Sequence, residues 1–499
     1  MTRKYLGIIA ALLLAAPSVL LAVDAPGGNA ARLTKPFSQC RLSDPLQLRS
    51  IEAECAEISV PETDKPGSRR ITLSVARVPA INREKQTDPI VLLAGGPGQG
   101  AQLTFTAASF ALSRAGRERD ILLLDQRGTG RSNILSCDVE GQAASSALAF
   151  DTEAFVSLNE RCRERLSRTS DLAAYTTSRA VRDLDAVRAL LGYEALNLYA
   201  GSYGTRVAQH YARRYPQRVR SMVLDGVVAP QTVLGPSISL DSQAALDGIW
   251  QRCTADKHCR ETFGDMKAKT RELRAKLLRK PERVQIANPR TAVMESLDFS
   301  PQHLATVLRF GSYDSSFAAM LPLVVSEALR GDYRPIATIS LLTSSSVQEV
   351  IALGMHNSVI CNEDLPRYDQ TNIDRPALES TYLGAGFVDV LPKVCKNWPR
   401  GLVDKDFNQP LVASIPTLLL SGTLDPVTPP GDADRVARTL SNSKHLIIKG
   451  AGHGQLGIPC MDRVLADFFS TVDPKKLDTT CLDRRMQPPF WISLAGPAP

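Results

Sequence analysis

The stretch Leu196-Asn197-Leu198-Tyr199-Ala200-Gly201-Ser202-Tyr203-Gly204-Thr205 limits what this chain can fold into more than any other. An apolar run of strand character stops at Ala200-Gly201-Ser202, and a helical pattern from Arg206 to Ala212 comes directly after it. A serine at a strand-to-helix junction, with a small residue two positions to either side, has the form of a nucleophile elbow. The turn strains the serine backbone, and bulk at the flanking positions would clash. It aims the hydroxyl away from the sheet and sets the free N–H groups of the following helix beneath it. Ala200 stands where the pattern usually has glycine, a difference of one methyl group. A Gly-Ser-x-Gly string also marks ordinary turns, so a base, an acid and anion-binding amides must be found elsewhere.

The flanking sequence has the texture such an elbow needs. Pro89 to Ala94 is continuously apolar and Asp120 to Asp125 is the next such run, as buried parallel strands are; Val219 to Gly226, Ile415 to Gly422 and Ser443 to Gly450 read as further strands. Ile71 to Val78 alternates with period two and faces Cys55 to Val60 across a turn at Lys65-Pro66-Gly67, an antiparallel hairpin that opens the sheet. Helical patterns run from about Thr177 to Leu191 and from Val464 to Phe469. Strands alternating with helices, with turn residues at strand C-terminal ends, predict an α/β architecture: a doubly wound, mostly parallel sheet of about eight strands. From Ser237 to Val350 the pattern changes to helical periods over Leu246 to Leu278, Gln302 to Arg309 and Phe317 to Leu329, with no buried-strand runs between them. At 499 residues the chain exceeds one typical domain. We divide it into a leader (1–22), a first core segment (35–235), a mainly helical lid insertion (236–405) and a second core segment (406–490).

Met1-Thr2-Arg3-Lys4, an apolar run from Leu6 to Leu14 and Ala15-Ala16-Pro17 have the three-part form of a secretory signal, with cleavage after Ala22. The competing reading is an uncleaved anchor, because the apolar run reaches Val23, but Pro17 and Ser18 interrupt it. No later run is long enough to span a bilayer, so no stable membrane span is expected after cleavage. Ten cysteines, Cys40, Cys55, Cys137, Cys162, Cys253, Cys259, Cys361, Cys395, Cys460 and Cys481, agree with export to an oxidising compartment, periplasmic or extracellular. Five sequential pairs form the simplest framework, although spacing alone does not fix connectivity. Cys253 and Cys259 flank a segment containing His258, a spacing that also occurs at metal sites. With one nearby histidine, a disulfide is the better reading. The net charge of +7 includes Arg3 and Lys4, and no basic run is interleaved with aromatics, so no nucleic-acid partner is expected.

A serine hydroxyl becomes a nucleophile when a base takes its proton and an acid orients that base. Of six histidines, only His453 sits in a tight glycine loop, Gly450-Ala451-Gly452-His453-Gly454, directly after a terminal strand. Small residues on both sides let its imidazole reach over the strand ends. The candidate acid is Asp425, in Gly422-Thr423-Leu424-Asp425-Pro426, just past the preceding strand. Asp225, at the end of the strand after the elbow, competes with it, and closing a turn through Gly226 is its structural alternative. An oxyanion hole needs two amide donors. The amide of Tyr203 and that of Gly96, in Gly95-Gly96-Pro97-Gly98, are the candidates. A phosphate cradle is the lesser reading of that loop, because Pro97 removes a donor and no Gly-Lys-Ser/Thr comes after it.

The order Ser, Asp, His is that of the α/β hydrolases. Gly95-Gly96-Pro97-Gly98, the string Asp125 to Ser132, the elbow, Gly422 to Pro430 and the His453 loop together resemble the exported prolyl and tripeptidyl aminopeptidases. The resemblance runs from about Cys55 to Cys481. It implies an α/β-hydrolase fold whose insertion is a lid, and an enzyme that releases short N-terminal units from peptides through an acyl-enzyme. The prolyl members usually carry His before Gly-Gly-Pro-Gly, where this chain has Ala94. An exopeptidase must bind a free α-ammonium, and Glu363 and Asp364, where the insertion returns to the core, are the candidate carboxylates, with an exposed acidic turn as their alternative. Asp125 and Arg127 are read as braces of the loop around the site. The rivals are a carboxylesterase acting on short acyl esters and a catalytically silent binding protein of the same fold. Dehalogenase or epoxide hydrolase chemistry would want Asp at the elbow. No metal or organic cofactor is implied.

Overall fold

The computed structural model describes residues 30–44, 48–137 and 152–498; the expected leader lies outside them. Nine strands form one sheet. They are β1 (Arg32–Ser43), β2 (Ser50–Pro61), β3 (Arg70–Val78), β4 (Ile90–Leu93), β5 (Ile121–Leu124), β6 (Leu196–Gly201), β7 (Val219–Asp225), β10 (Thr417–Gly422) and β11 (Ser443–Ile448). Two more, β8 (Glu282–Ala287) and β9 (Met294–Phe299), pair with each other in the insertion, and β12 (Trp491–Ser493) and β13 (Gly496–Pro497) form a C-terminal pair. The sheet order is β1-β2-β3-β5-β4-β6-β7-β10-β11. The first three strands are antiparallel, and β5, β4, β6, β7, β10 and β11 run parallel. This is the α/β-hydrolase fold.

Side-chain alternation along the strands builds two cores, one on each face. Ile90 and Leu92 of β4 pack with Tyr199, Val223, Leu418 and Leu420 against the helices Ala101–Leu112 and Met461–Thr471. Val91 and Leu93 pack with Leu198, Ala200, Met222 and Leu224 against the helices Thr177–Leu190, Tyr203–Arg214 and Pro430–Ala437. A third core, around Trp250, Phe263, Phe299 and Leu308, belongs to the insertion. Among the described residues, no single helix is long and apolar enough to cross a membrane.

The sheet has one strand more than expected, and the extra strand is β1. Its sequence, RLTKPFSQCRLS, carries few apolar residues, and its side chains are mostly exposed, so it has no buried-strand signature. The hairpin β8–β9 is a second difference, in an insertion read as mainly helical with no buried-strand runs. Each of its strands buries only two side chains, Val284 and Ile286 on one and Leu297 and Phe299 on the other, too few to form a continuous run. All ten cysteines pair in sequential order: Cys40–Cys55, Cys137–Cys162, Cys253–Cys259, Cys361–Cys395 and Cys460–Cys481.

Candidate active site

Ser202, directly after β6, has φ 55° and ψ −126°, a conformation that costs a non-glycine residue on the order of 1–3 kcal/mol. Its surroundings hold it there. The Ser202 amide donates to the Asp225 carbonyl at 2.8 Å, and its own carbonyl accepts from the Thr205 amide at 2.8 Å and the Thr205 hydroxyl at 2.7 Å. Gly204 lies against β4 so closely that a Cβ there would overlap the Leu93 carbonyl oxygen and stand 2.8 Å from that of Ala94.

Asp425 and His453 sit on the loops that leave the adjacent parallel strands β10 and β11. The structure brings them together: His453 Nδ1 lies 2.8 Å from Asp425 Oδ2. The other carboxylate oxygen accepts from the amides of Val427 at 2.9 Å and Thr428 at 2.8 Å, and the Thr428 hydroxyl donates to Oδ2 at 2.7 Å. A Nδ1–H committed to Asp425 leaves Nε2 of His453 as the proton acceptor. Burial opposes protonation of this imidazole, but the charges of Asp425 and Asp225 outweigh it and hold its pKa above the ordinary value. The small residues beside it are required by contact: a Cβ on Gly452 would overlap the carbonyls of Ser312 and Tyr313, and one on Gly226 would stand 3.0 Å from His453 Cε1.

Asp225 has a different position. Its Oδ2 accepts from the Tyr199 hydroxyl at 2.5 Å and the Gln455 amide at 2.7 Å, which fastens the His453 loop to the end of β7. Burial pushes its pKa up to about 6.

The glycine loop crosses directly over the elbow, where a Cβ on Gly95 would stand 2.9 Å from Ser202 Cβ. Gly96 and Gly98 have φ of 106° and 110°, which only glycine adopts at ease. Tyr203, the other candidate donor, opens the elbow helix, where backbone amides are free of intrahelical partners.

The insertion reaches both loops through residues that sequence reasoning did not single out. The Ala352 amide donates to the Gly98 carbonyl at 3.0 Å, and His356 Nδ1 lies 3.2 Å from the Pro97 carbonyl. Across the cleft, the His453 amide donates to the Tyr313 carbonyl at 2.8 Å, and the Tyr313 ring meets the imidazole edge-on at 5.0 Å. No local motif marks these contacts, because each depends on where the insertion lands.

Glu363 and Asp364 are placed otherwise than the sequence suggested. Asp364 is fully buried, accepts from Arg206 Nη1 at 3.0 and 3.1 Å and from the Leu234 amide at 2.8 Å, and is joined by Arg367 at 3.3 Å. Glu363 accepts from the Thr177 amide at 2.6 Å and hydroxyl at 2.9 Å, and the same hydroxyl lies 2.5 Å from the phenol oxygen of Tyr203. Burial raises the Glu363 pKa to about 7. Both carboxylates are therefore buried and held by internal partners rather than standing in an exposed acidic turn. Arg127 is likewise internal, forked onto Asp183 at 2.6 and 2.8 Å, and Asp125 caps the Gln102 and Arg131 amides at 3.0 Å each. A half-buried carboxylate that the sequence did not flag is Asp241, in the lid helix Ile238–Ala255. Burial, with the charges of Asp432 and Asp425 adding, pushes its pKa up to about 6.

Residues 88–298 match the family model described as alpha/beta hydrolase fold, and residues 381–481 match that of the TAP-like proteins. Serine protease Hip1 of Mycobacterium tuberculosis is 26% identical, with 93% of this chain and 95% of that protein covered. A tripeptidyl aminopeptidase of Streptomyces coelicolor is 25% identical, over 86% of this chain and 83% of its own length. Carboxylesterase B of Mycobacterium tuberculosis is 31% identical over 45% of this chain and 46% of that one.

Proposed function

We propose that this chain, which belongs to the α/β-hydrolase fold family, is an exported serine peptidase of the aminopeptidase type. Ser202 Oγ attacks the carbonyl carbon of the scissile bond while His453 Nε2 takes its proton. Asp425 holds the imidazole in the tautomer that makes this possible and stabilises the imidazolium. The oxyanion that forms lies against the amides of Tyr203 and Gly96, each donor worth on the order of a hundredfold in rate. His453 then returns the proton to the leaving amine, the acyl-enzyme forms, and water repeats the sequence to free Ser202. No metal or organic cofactor takes part in these steps.

The observation that carries the reading is the 2.8 Å contact between His453 Nδ1 and Asp425 Oδ2 beside a serine held at φ 55°. The peptidase part rests on relatives named for that activity, matched over most of their length. Selection for a free amino end is supported by Asp241, a half-buried lid carboxylate whose pKa is raised by burial and by the nearby charges of Asp432 and Asp425, because a substrate ammonium would relieve that repulsion. Export is supported by the leader sequence and by five disulfides. The second reading, a short-chain esterase, is favoured by the carboxylesterase relative that matches about half the chain.

Digestion of unblocked and N-acetylated peptides beside short acyl esters tests the choice. Unblocked peptides should lose short N-terminal units, and acetylation should abolish that. Equal cleavage of acetylated peptides, or hydrolysis of esters alone, overturns the aminopeptidase reading.

A further inference from the structure

Arg309 has no task in the steps above. It lies in the last turn of the lid helix Pro301–Gly311, half-buried, with its Nε enclosed and without a hydrogen-bond partner. Among the described residues no carboxylate stands within ion-pair distance of it. Its neighbours are rings: the guanidinium carbon is 4.8 Å from the Phe387 centroid and 5.4 Å from that of Phe310, and the Tyr313 hydroxyl lies within hydrogen-bond reach. Ring faces stabilise a cation, but less than a forked carboxylate does, and cations withdrawn from water are as a rule paired. Arg127 and Arg206 in this same chain obey that rule, with Asp183 and Asp364.

Its location follows from the neighbours of its helix. Tyr313 holds the His453 amide through its carbonyl and meets the imidazole with its ring. The Arg309 charge opposes protonation of His453 and also of His356, which sits on the Pro97 carbonyl of the glycine loop. Tyr313, four residues beyond Arg309, so places the C-terminal end of this lid helix beside the His453 loop.

We propose that Arg309 is a substrate-binding residue that receives a carboxylate of the substrate, with Phe310 and Phe387 holding the guanidinium in place. The inference rests on the reading of Ser202 and His453 as a hydrolytic site and adds a ligand class to it. The carboxylate is either the C-terminus of a short peptide or an Asp or Glu side chain. The lid then presents a cation at Arg309 and a carboxylate at Asp241, which suits a short peptide carrying both charges.

The test compares kcat/KM of the full-length wild type, Arg309→Gln and Arg309→Lys on substrate pairs that differ by one carboxylate. The first pair is a tetrapeptide with a free or an amidated C-terminus. The second is the amidated peptide with Glu or Gln inside it, and the third is the acetate ester of 4-hydroxybenzoate with its acid free or methylated. Wild type should prefer the acid member of at least one pair about tenfold or more, the scale of one charged hydrogen-bonded contact. That ratio should fall to near unity in Arg309→Gln and be partly kept in Arg309→Lys, which retains charge but not the fork. The pair that responds identifies the source of the carboxylate. A ratio that is the same in wild type and Arg309→Gln for every pair overturns the inference, as does the absence of any acid preference in wild type should that variant not fold. If only the ester pair is hydrolysed and its preference depends on Arg309, the peptidase reading fails while this inference stands.

Discussion

Replacing Asp425 by asparagine exchanges one carboxylate oxygen for an NH2 group, and the hydrogen bonds around the carboxylate determine where that group can sit. Oδ1 accepts from two backbone amides, at 2.9 and 2.8 Å, so the side-chain NH2 of asparagine cannot occupy that side without two donor–donor clashes. The NH2 must take the Oδ2 side, which now receives the Thr428 hydroxyl and His453 Nδ1. The hydroxyl can rotate to accept, because its hydrogen is free to turn. The imidazole can accept only by moving its proton from Nδ1 to Nε2, and a protonated Nε2 cannot take the proton of Ser202. The expected loss in kcat is about 10⁴, the scale of a wrong tautomer in a serine triad, with a well-packed fold. The loss of a negative charge beside His453 also lowers its pKa, so the acid limb of residual kcat/KM moves to lower pH. Burst titration with 4-nitrophenyl acetate, followed by kcat/KM across pH 5 to 9, measures both effects. Retention of more than a tenth of wild-type turnover, or a greater loss in Asp225→Asn, refutes the assignment of Asp425 as the orienting acid.

Three further substitutions test the supports of the site. Gly204→Ala places a methyl group on the Leu93 carbonyl and should destabilise by about 3 kcal/mol or more, or prevent folding; a melting temperature within a degree or two of wild type would contradict the close packing of elbow on β4. Arg206→Met leaves the buried Asp364 carboxylate with only the longer contact to Arg367 and the Leu234 amide, and should cost about 3 kcal/mol in chemical denaturation, whereas the double variant with Asp364→Leu should recover much of it; no recovery would mean that the pair is not coupled. Glu363 has a folded-state pKa of about 7, above its ordinary 4.5, so the folded protein keeps a proton that the unfolded chain releases in that interval. Its contribution is complete below about pH 4.5 and is lost as the pH rises through about 7, a change of about 3 kcal/mol. Glu363→Gln should remove that part of the decline, and a slope of melting temperature against pH equal to that of wild type between pH 5 and 8 would show that Glu363 is charged in the fold throughout.

The elbow could be read from five residues because its geometry is local. A strained backbone at Ser202 demands small neighbours, and Gly204 faces β4 with no space for a side chain. The parallel strands were legible because a strand covered on both faces is apolar throughout, as Ile121–Leu124 is. Strand β1 and the hairpin β8–β9 were not, since a strand with one wet face and two or three apolar residues lacks that signature. Asp425 and His453 could be named because each comes after a strand in a turn marked by glycine or proline, and parallel neighbours leave their turns at one end of the sheet.

Glu363 and Asp364 show where such reading stops. Adjacent carboxylates look alike in sequence whether they face a substrate or a buried arginine, and Arg206 is 158 positions from Asp364. The same holds for Asp225, whose partners are Tyr199 and Gln455, and for Tyr313, whose carbonyl holds the His453 loop. From its sequence alone this protein has its parallel strands, its elbow and the chain order of its candidate triad, because backbone shape and apolar periodicity are written within a few neighbouring residues. Which charges are paired, which carboxylates are protonated and what the lid brings over Ser202 were decided by the tertiary structure, since Coulomb and desolvation energies depend on distances that packing alone sets.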